Sequence, residues 1–537
     1  MLRIAAAAPG VFIADRGFAF AAGKIPKAKE TISCIQTGAN RRQIMKSVMP
    51  DMQPMNQTVQ ETPQFRVLTE DQIEQIYFAA LDVLERVGSR VHQDEAIQLF
   101  RDSGEAVVSD DGRVRVPASL VERALKSYPR KITLQGRNGK RSVALQKDHV
   151  YFGTGSDLPF TYDRKTGERR RTTYKDVVDA ARIVDYLPNF DFFMSHGIVG
   201  DAPNPQTYDR HQFMAMLEGC TKPMVVTSVD GEGLEDLWKM ACLFQGGEEE
   251  FRLSPMFVAY IEPISPLTND RTAVEKLLFA AEKGIPAMYT PCPSSGATAP
   301  ATIAGMLVQS LAETLLAIVL CYLKKPGMPL IMGGVTTVMD MRTTTYSYGA
   351  PELSLASAAN TDISKWLNLI MFSTGGCSDS KWLDEQAAIE STLSLLTAYL
   401  SGANLVHDVG YIDSGVNASL ESLVMNDEII GMVRQVGKGI RTDEEGLALK
   451  VINEVGPGGE FVTHDHTYEH WKDWFLPKLM DRSDWETWNS EGSKTMSDRV
   501  NEETQRILDT HEPQPIDDAT KKALKEIIDA AEKRHSK

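Results

Sequence analysis

The chain has 537 residues, of which 42% are hydrophobic, so it can bury a large core. Its formal net charge is −16, and no dense Lys/Arg stripe occurs, which argues against nucleic-acid binding and leaves a solvated acidic surface as the expectation. The six cysteines (Cys34, Cys220, Cys242, Cys292, Cys321, Cys377) are scattered without C-x-x-C spacing, so reduced thiols in a cytoplasmic protein are expected rather than a disulfide framework.

Residues 1–64 open with MLRIAAAAPGVFIADRGFAFAAGKIPKAKE, Ala-rich and poor in acid, which superficially suggests a targeting peptide. Asp15 and Arg16 interrupt its apolar stretch, and Met45, Met49, Met52 and Met55 offer alternative starts. A disordered extension or over-read start is therefore expected. Residues 65–149 predict a helical cap. LTEDQIEQIYFAALDVLERVG has Thr69 as N-cap and Gly88 as stop, and DEAIQLFRDSG and PASLVERALKSY follow as short helices.

From 150 to 437 one pattern repeats. Apolar runs beginning at Val150, Phe190, Pro223, Met256, Pro286, Pro329, Leu369 and Asn404 each lead into a polar or Gly-containing loop and then an amphipathic segment. Eight strand–helix pairs predict a (β/α)8 barrel of the TIM type, with a doubly wound open sheet as the rival. The clearest unit runs LIMFSTGGCSDSK, then WLDEQAAIESTLSLLTAYL, then SGANLVHDVGYIDSG. Both of its strand ends deliver reactive side chains (Cys377, Asp379, His407, Asp408, Tyr411) to one edge, where parallel α/β enzymes keep their sites.

Residues 438–537 predict a helical C-terminal extension. DEEGLALKVINEVGPGG and DDATKKALKEIIDAAEKRH are helix patterns, and HWKDWFLPKLMDRSDWETW holds four Trp. Such Trp residues more often anchor a core or subunit interface than a ligand, and a homo-oligomer is expected. His464, His466 and His470 imitate metal-ligand spacing but fall outside the eight repeats, so they are read as structural, with no metal expected. No uninterrupted run of 18 apolar residues occurs, so no membrane span is expected.

GATAPATIAGMLVQSLAETLLAIVL, MDMRT followed by GAPE, STGGCSDSKWLDEQ, GANLVHDVGYIDSG, and EVGPGGEF with HDHT resemble the trimethylamine methyltransferase family, in order from Phe65 to His511. The resemblance implies a (β/α)8 protein that moves a methyl group from a methylated amine to the cob(I)alamin of a separate corrinoid protein, with no tightly bound cofactor of its own. Some members contain pyrrolysine. This chain has only the standard residues, with Cys377 at or near the pyrrolysine position. That departure points to the non-pyrrolysine branch, which includes glycine betaine:corrinoid methyltransferases. Chemistry agrees: a quaternary ammonium already has four bonds to nitrogen and leaves as a neutral amine, so no adduct-forming residue is needed. A corrinoid-carrier motif, D-x-H-x-x-G, is absent; Asp209-Arg210-His211 starts like it, but Met214 stands where Gly is required.

A cation of this kind calls for aromatic faces. Phe152, Tyr260, Tyr289, Phe372 and Tyr411 are the candidates at strand ends, each with ordinary packing as its bland alternative. Arg342 would pair with a betaine carboxylate or simply with Asp340, and Glu262 would oppose the ammonium or cap a helix. His407, before Asp408 at the end of the last strand, is the leading catalytic candidate, by a hydrogen bond to the carboxylate or by facing the cobalt. Two other classes stay open: a barrel enzyme whose STGGCSDS loop cradles a phosphate, and a catalytically silent betaine-binding barrel.

Overall fold

A computed structural model describes residues 53–54 and 64–536, so the expectation for residues 1–64 lies almost wholly outside the described residues. All eight amphipathic segments of the repeat are helices: Tyr174–Tyr186, Tyr208–Gly219, Gly231–Gln245, Arg271–Lys283, Ile303–Lys324, Pro351–Trp366, Glu385–Ser401 and Leu420–Gly437.

The apolar runs between them pair in parallel. Met224–Val226, Phe257–Ile261, Ala287–Tyr289 and Leu330–Met332 form one sheet in that order. Phe372–Thr374 pairs with Leu405–His407, which pairs with Tyr151–Phe152. Single parallel bridges link Gly153 to Phe192, Phe193 to Met224, and Met332 to Met371. The architecture is α/β, with helices packed on one face of these strands.

Alternation along each strand sorts its side chains. Tyr151, Phe192, Val225, Val258, Met288, Ile331, Phe372 and Leu405 meet in one buried cluster. Their neighbours Phe152, Phe193, Val226, Ala259, Tyr289, Met332 and Val406 join the larger core under the helices. Ile132, Leu134, Val143 and Leu145 complete the inner cluster. They come from the antiparallel pair Ile132–Gln135 and Arg141–Leu145, whose Gln135 N–H donates to Pro255 O at the start of a strand. This pair therefore packs where the strands begin and leaves their C-terminal edge free.

The N-terminal region, expected to be a helical cap, mixes helices and strands. Glu70–Asp82, Asp94–Asp102 and Ala118–Lys126 are helices, while Ser89–Val91, Val107–Val108, Arg113–Arg115 and the pair just described are strands. Period-two patterns in ITLQ and RSVAL around the Asn138-Gly139 turn carry this signal. Thr69 caps its helix with a capping box to Gln72, and Gly88, at φ 73, ends the π turn that follows. The helix Ile303–Lys324 is long and apolar enough to cross a membrane by length and composition, but 72% of its apolar window is buried in the protein. Its Glu313 accepts hydrogen bonds from Ser265 Oγ and Leu267 N, both at 2.8 Å.

Candidate active site

Three strands bring one group of inward residues together. Counting along Leu405–His407, Leu405 points inward, Val406 outward and His407 inward again, to the C-terminal edge. The same count places Phe372 and Tyr260 beside it. The Phe372 ring lies 3.9 Å from the His407 imidazole, centroid to centroid, and Tyr260 lies 6.0 Å from Phe372 and 6.5 Å from His407. Tyr260 Oη donates to Glu262 Oε2 at 3.3 Å and sits 3.9 Å from Cys292 Sγ. His407 Nδ1 lies 3.0 Å from Asp408 Oδ1, an ion-pair distance without hydrogen-bond alignment.

Loops add a second aromatic group. Thr337–Asp340 and Thr345–Tyr346 form a hairpin that carries Tyr346 and Tyr348, whose rings are 5.5 Å apart; Tyr348 is in turn 5.9 Å from Tyr411. Asp379 fastens this hairpin, accepting from Tyr348 N at 2.7 Å, from Ser414 Oγ at 2.9 Å and from Ser347 Oγ. Tyr411 Oη donates to Ser156 O, and Cys377 Sγ approaches Tyr348 O at 3.7 Å. Gly155 must be glycine here, because a Cβ would run into the Asp408 carboxylate and the Tyr411 ring.

Burial, with the negative field of Asp408 and its neighbours, pushes the phenols of Tyr260, Tyr346, Tyr348 and Tyr411 well above their ordinary value. They remain neutral rings. The thiols of Cys377 and Cys292 are likewise pushed well up by burial and nearby carboxylates, so neither is a thiolate at neutral pH. Burial raises Glu262 and Asp157 as well. Asp157 accepts from Gln212 Nε2 at 3.1 Å and Thr227 Oγ1 at 3.2 Å. Lys276, lowered by burial and held by Ser228 O at 3.1 Å, shares the field of Asp157 and Glu262. Aromatic faces, carboxylates and one lysine make a setting for a cation, with no activated nucleophile of the protein's own.

The sequence model of the family described as trimethylamine methyltransferase (MTTB) matches residues 35–536. The chain belongs to the trimethylamine methyltransferase family. The glycine betaine methyltransferase of Desulfitobacterium hafniense (strain Y51) is 33% identical over 459 residues, 85% of this chain and 95% of that one. The trimethylamine methyltransferase MttB of Desulfitobacterium hafniense (strain DSM 10664 / DCB-2) is 32% identical over 464 residues, 86% and 93% of the two chains. The solved monomethylamine methyltransferase (MtmB) of Methanosarcina barkeri overlaps with a TM-score of 0.45 at 13% identity, covering 87% of this chain and 91% of that one.

In this methyltransferase the structure takes three of the expected residues out of the group. Phe152 faces outward, its ring 6.0 Å from Tyr399 and 5.3 Å from the Arg434 guanidinium. Tyr289 also faces outward, donating to Asn269 Oδ1 within the helix-side core. A one-residue step along a strand reverses the face, so both belong to strands of the barrel repeat but pack under the helices. Arg342 stands at the tip of the hairpin with its side chain 89% exposed, 3.0 Å from Asp340, the salt bridge that was its bland alternative. The histidine cluster is taken up by acids: His464 with Glu454 at 3.3 Å, His470 with Glu445 at 3.2 Å and with Asp473 at 3.3 Å. Tyr346, Tyr348, Asp157, Cys292 and Lys276 were not foreseen. Of these only the TYSY alternation after MDMRT gave any local signal.

Proposed function

We propose that this methyltransferase moves a methyl group from a quaternary amine, glycine betaine or a similar betaine, to cob(I)alamin on a separate corrinoid protein. One observation carries the reading: Tyr260 and Phe372 stand against His407, with Glu262 on Tyr260 and Asp408 beside His407, and a second aromatic group of Tyr346, Tyr348 and Tyr411 shares the field of the same Asp408. A quaternary ammonium has no N–H to donate, so ring faces and a negative field are what can hold it, at about 2 kcal/mol or more per desolvated cation–π contact. The relative named glycine betaine methyltransferase supports the choice of substrate.

The setting is the C-terminal edge of a closed (β/α)8 barrel, a reading supported by the succession of parallel pairings from Tyr151–Phe152 round to Leu405–His407. Cob(I)alamin supplies the nucleophile. Asp209, Arg210 and His211, which start like a carrier motif, are engaged within the protein: Arg210 pairs with Asp209 and Asp236, and His211 with Glu532. The chain's own residues hold the trimethylammonium, point one methyl outward and exclude water. In this reading Lys276, in the field of Asp157 and Glu262, receives a betaine carboxylate, and His407 positions the ammonium against Asp408. The methyl passes as a cation equivalent and a dimethylated amine leaves, so no proton moves and no acid–base dyad is required.

The deciding experiment follows methyl transfer to free cob(I)alamin by absorbance across a panel of betaines and methylamines. Turnover of a betaine and not of trimethylamine is expected. Turnover of trimethylamine alone overturns the substrate assignment, and binding of betaine without any transfer leaves a sensor.

A further inference from the structure

Three segments meet at Asp157. That residue follows the strand Tyr151–Phe152, Thr227 follows Met224–Val226, and Gln212 lies on the helix Tyr208–Gly219. The three close a ring of hydrogen bonds. Gln212 Nε2 donates to Asp157 Oδ1 at 3.1 Å and to Thr227 Oγ1 at 3.2 Å, and Thr227 Oγ1 donates to the same Asp157 Oδ1 at 3.2 Å. Both donors thus fall on one oxygen of the carboxylate. Among the described residues the other, Oδ2, receives a single contact from Ser156 Oγ, at 3.4 Å longer than an ordinary O–H···O bond. Gln212, only 2% exposed, commits its amide N–H groups to this ring and leaves its own Oε1 buried without a protein partner. An unpaired buried carbonyl costs stability, so the amide serves the orientation of Asp157 rather than the fold. Asp157 itself takes a left-handed backbone, φ 62. A non-glycine residue keeps that conformation where its surroundings hold it, and such residues gather at ligand-binding positions.

Strand register puts this carboxylate beside the rings of the candidate site. Val226 pairs with Ala259, so the next residues, Thr227 and Tyr260, stand side by side at the C-terminal edge. The Asp157 charge is felt by Tyr411 and Glu262 and also by Lys276, the cation assigned to a betaine carboxylate. It therefore lies between the aromatic faces and the lysine, and its open oxygen calls for a donor. A quaternary ammonium has no N–H, and a carboxylate only accepts. On a betaine, the donor that can reach this oxygen is a hydroxyl on the chain between those two groups.

We propose, resting on the betaine reading of the function, that Asp157 binds a substrate hydroxyl and that the substrate is a hydroxylated betaine. Glycine betaine has no such group and leaves Oδ2 unused. A hydroxyl on a carboxylate makes a charge-assisted bond, and an analogue that lacks it leaves the acceptor unpaired. Calorimetry on the full chain compares carnitine with γ-butyrobetaine, which differ only by that hydroxyl, and needs neither cobalt nor carrier protein. Carnitine should bind at least about tenfold more tightly, with one enantiomer preferred. Equal or weaker binding of carnitine, or binding of glycine betaine alone, overturns the hydroxyl site and leaves the betaine assignment standing. Failure of all three compounds to bind overturns both. Asp157→Gly removes the carboxylate at a φ that glycine takes without strain. Carnitine and γ-butyrobetaine share the same ammonium and carboxylate, so the ratio of their affinities reads the hydroxyl alone. That ratio should fall to near one in the variant, and a preserved preference places the hydroxyl elsewhere and sinks the assignment.

Discussion

His407 and Cys377 stand in different surroundings. His407 edges the Phe372 ring, while Cys377 is buried beside Tyr348 and its thiol is held protonated. His407→Ala should lower activity on a betaine at least about tenfold, the loss of roughly 1.4 kcal/mol from a positioned contact. Cys377→Ser should retain most activity. Steady-state kinetics on both variants decides, and the reverse ranking restores a covalent role for the thiol. Glu262 gives a second test. Burial holds its carboxyl above the ordinary carboxylate range, with Tyr260, Cys292, Asp157 and Lys276 around it. Only the ionised form attracts a cation, so affinity should be full above that raised value and fall as pH drops through it. Calorimetric titration with tetramethylammonium should show the loss beginning at a higher pH than a free glutamate would give, and Glu262→Gln should abolish the dependence. An unchanged pH profile in that variant would remove Glu262 from the cation site.

At the level of elements, the site depends on how closely the loops after the first and last strands approach. Gly155 leaves room for Asp408 and Tyr411, and Tyr411 Oη ties back to Ser156 O. Gly155→Ala should displace Tyr411 and cut kcat/KM by tenfold or more while the far-UV circular dichroism stays unchanged, because the strands themselves are not touched. Full activity would mean that Tyr411 does not face the substrate. The elements also show where periodicity informs and where it misleads. Each of the eight helices was legible, since an amphipathic stripe and a Gly or polar boundary recur each time. DEEGLALKVINEVGPGG was read as one helix, but Ala448 at φ 48 divides it into Glu444–Leu447 and Leu449–Val455.

Across the whole molecule, buried ionisable groups tie stability to pH. Burial, partly offset by the Ser419 carbonyl, brings His196 down to about 4. An unfolded chain protonates this side chain near about 6.5. The unfolded state therefore binds the proton first, and stability is lost as pH falls from about 6.5 towards the folded value, by about 3 kcal/mol in all. The denaturant midpoint should fall over that window, and His196→Asn should flatten the fall, since Asn tolerates the left-handed backbone at φ 58. An unaltered slope would show that other groups set the acid limb.

By itself the sequence determined the repeat of apolar run and amphipathic segment, the parallel pairing it leads to, and the edge at which Tyr260, Phe372, His407 and Tyr411 emerge. Those features follow from local periodicity and from the chirality of crossover connections, which need no long-range information. Which face each strand residue takes, and so the packing of Phe152 and Tyr289 under the helices rather than beside His407, was decided by tertiary packing, because a single residue of register reverses every side chain. The hairpin that brings Tyr346 and Tyr348 over the edge while leaving Arg342 outside depends on Asp379, more than 30 residues later, and the Cys377 thiol meets the Tyr348 carbonyl across 29 residues. Contacts at that separation leave no periodic trace in the chain; only the tertiary structure brings them together.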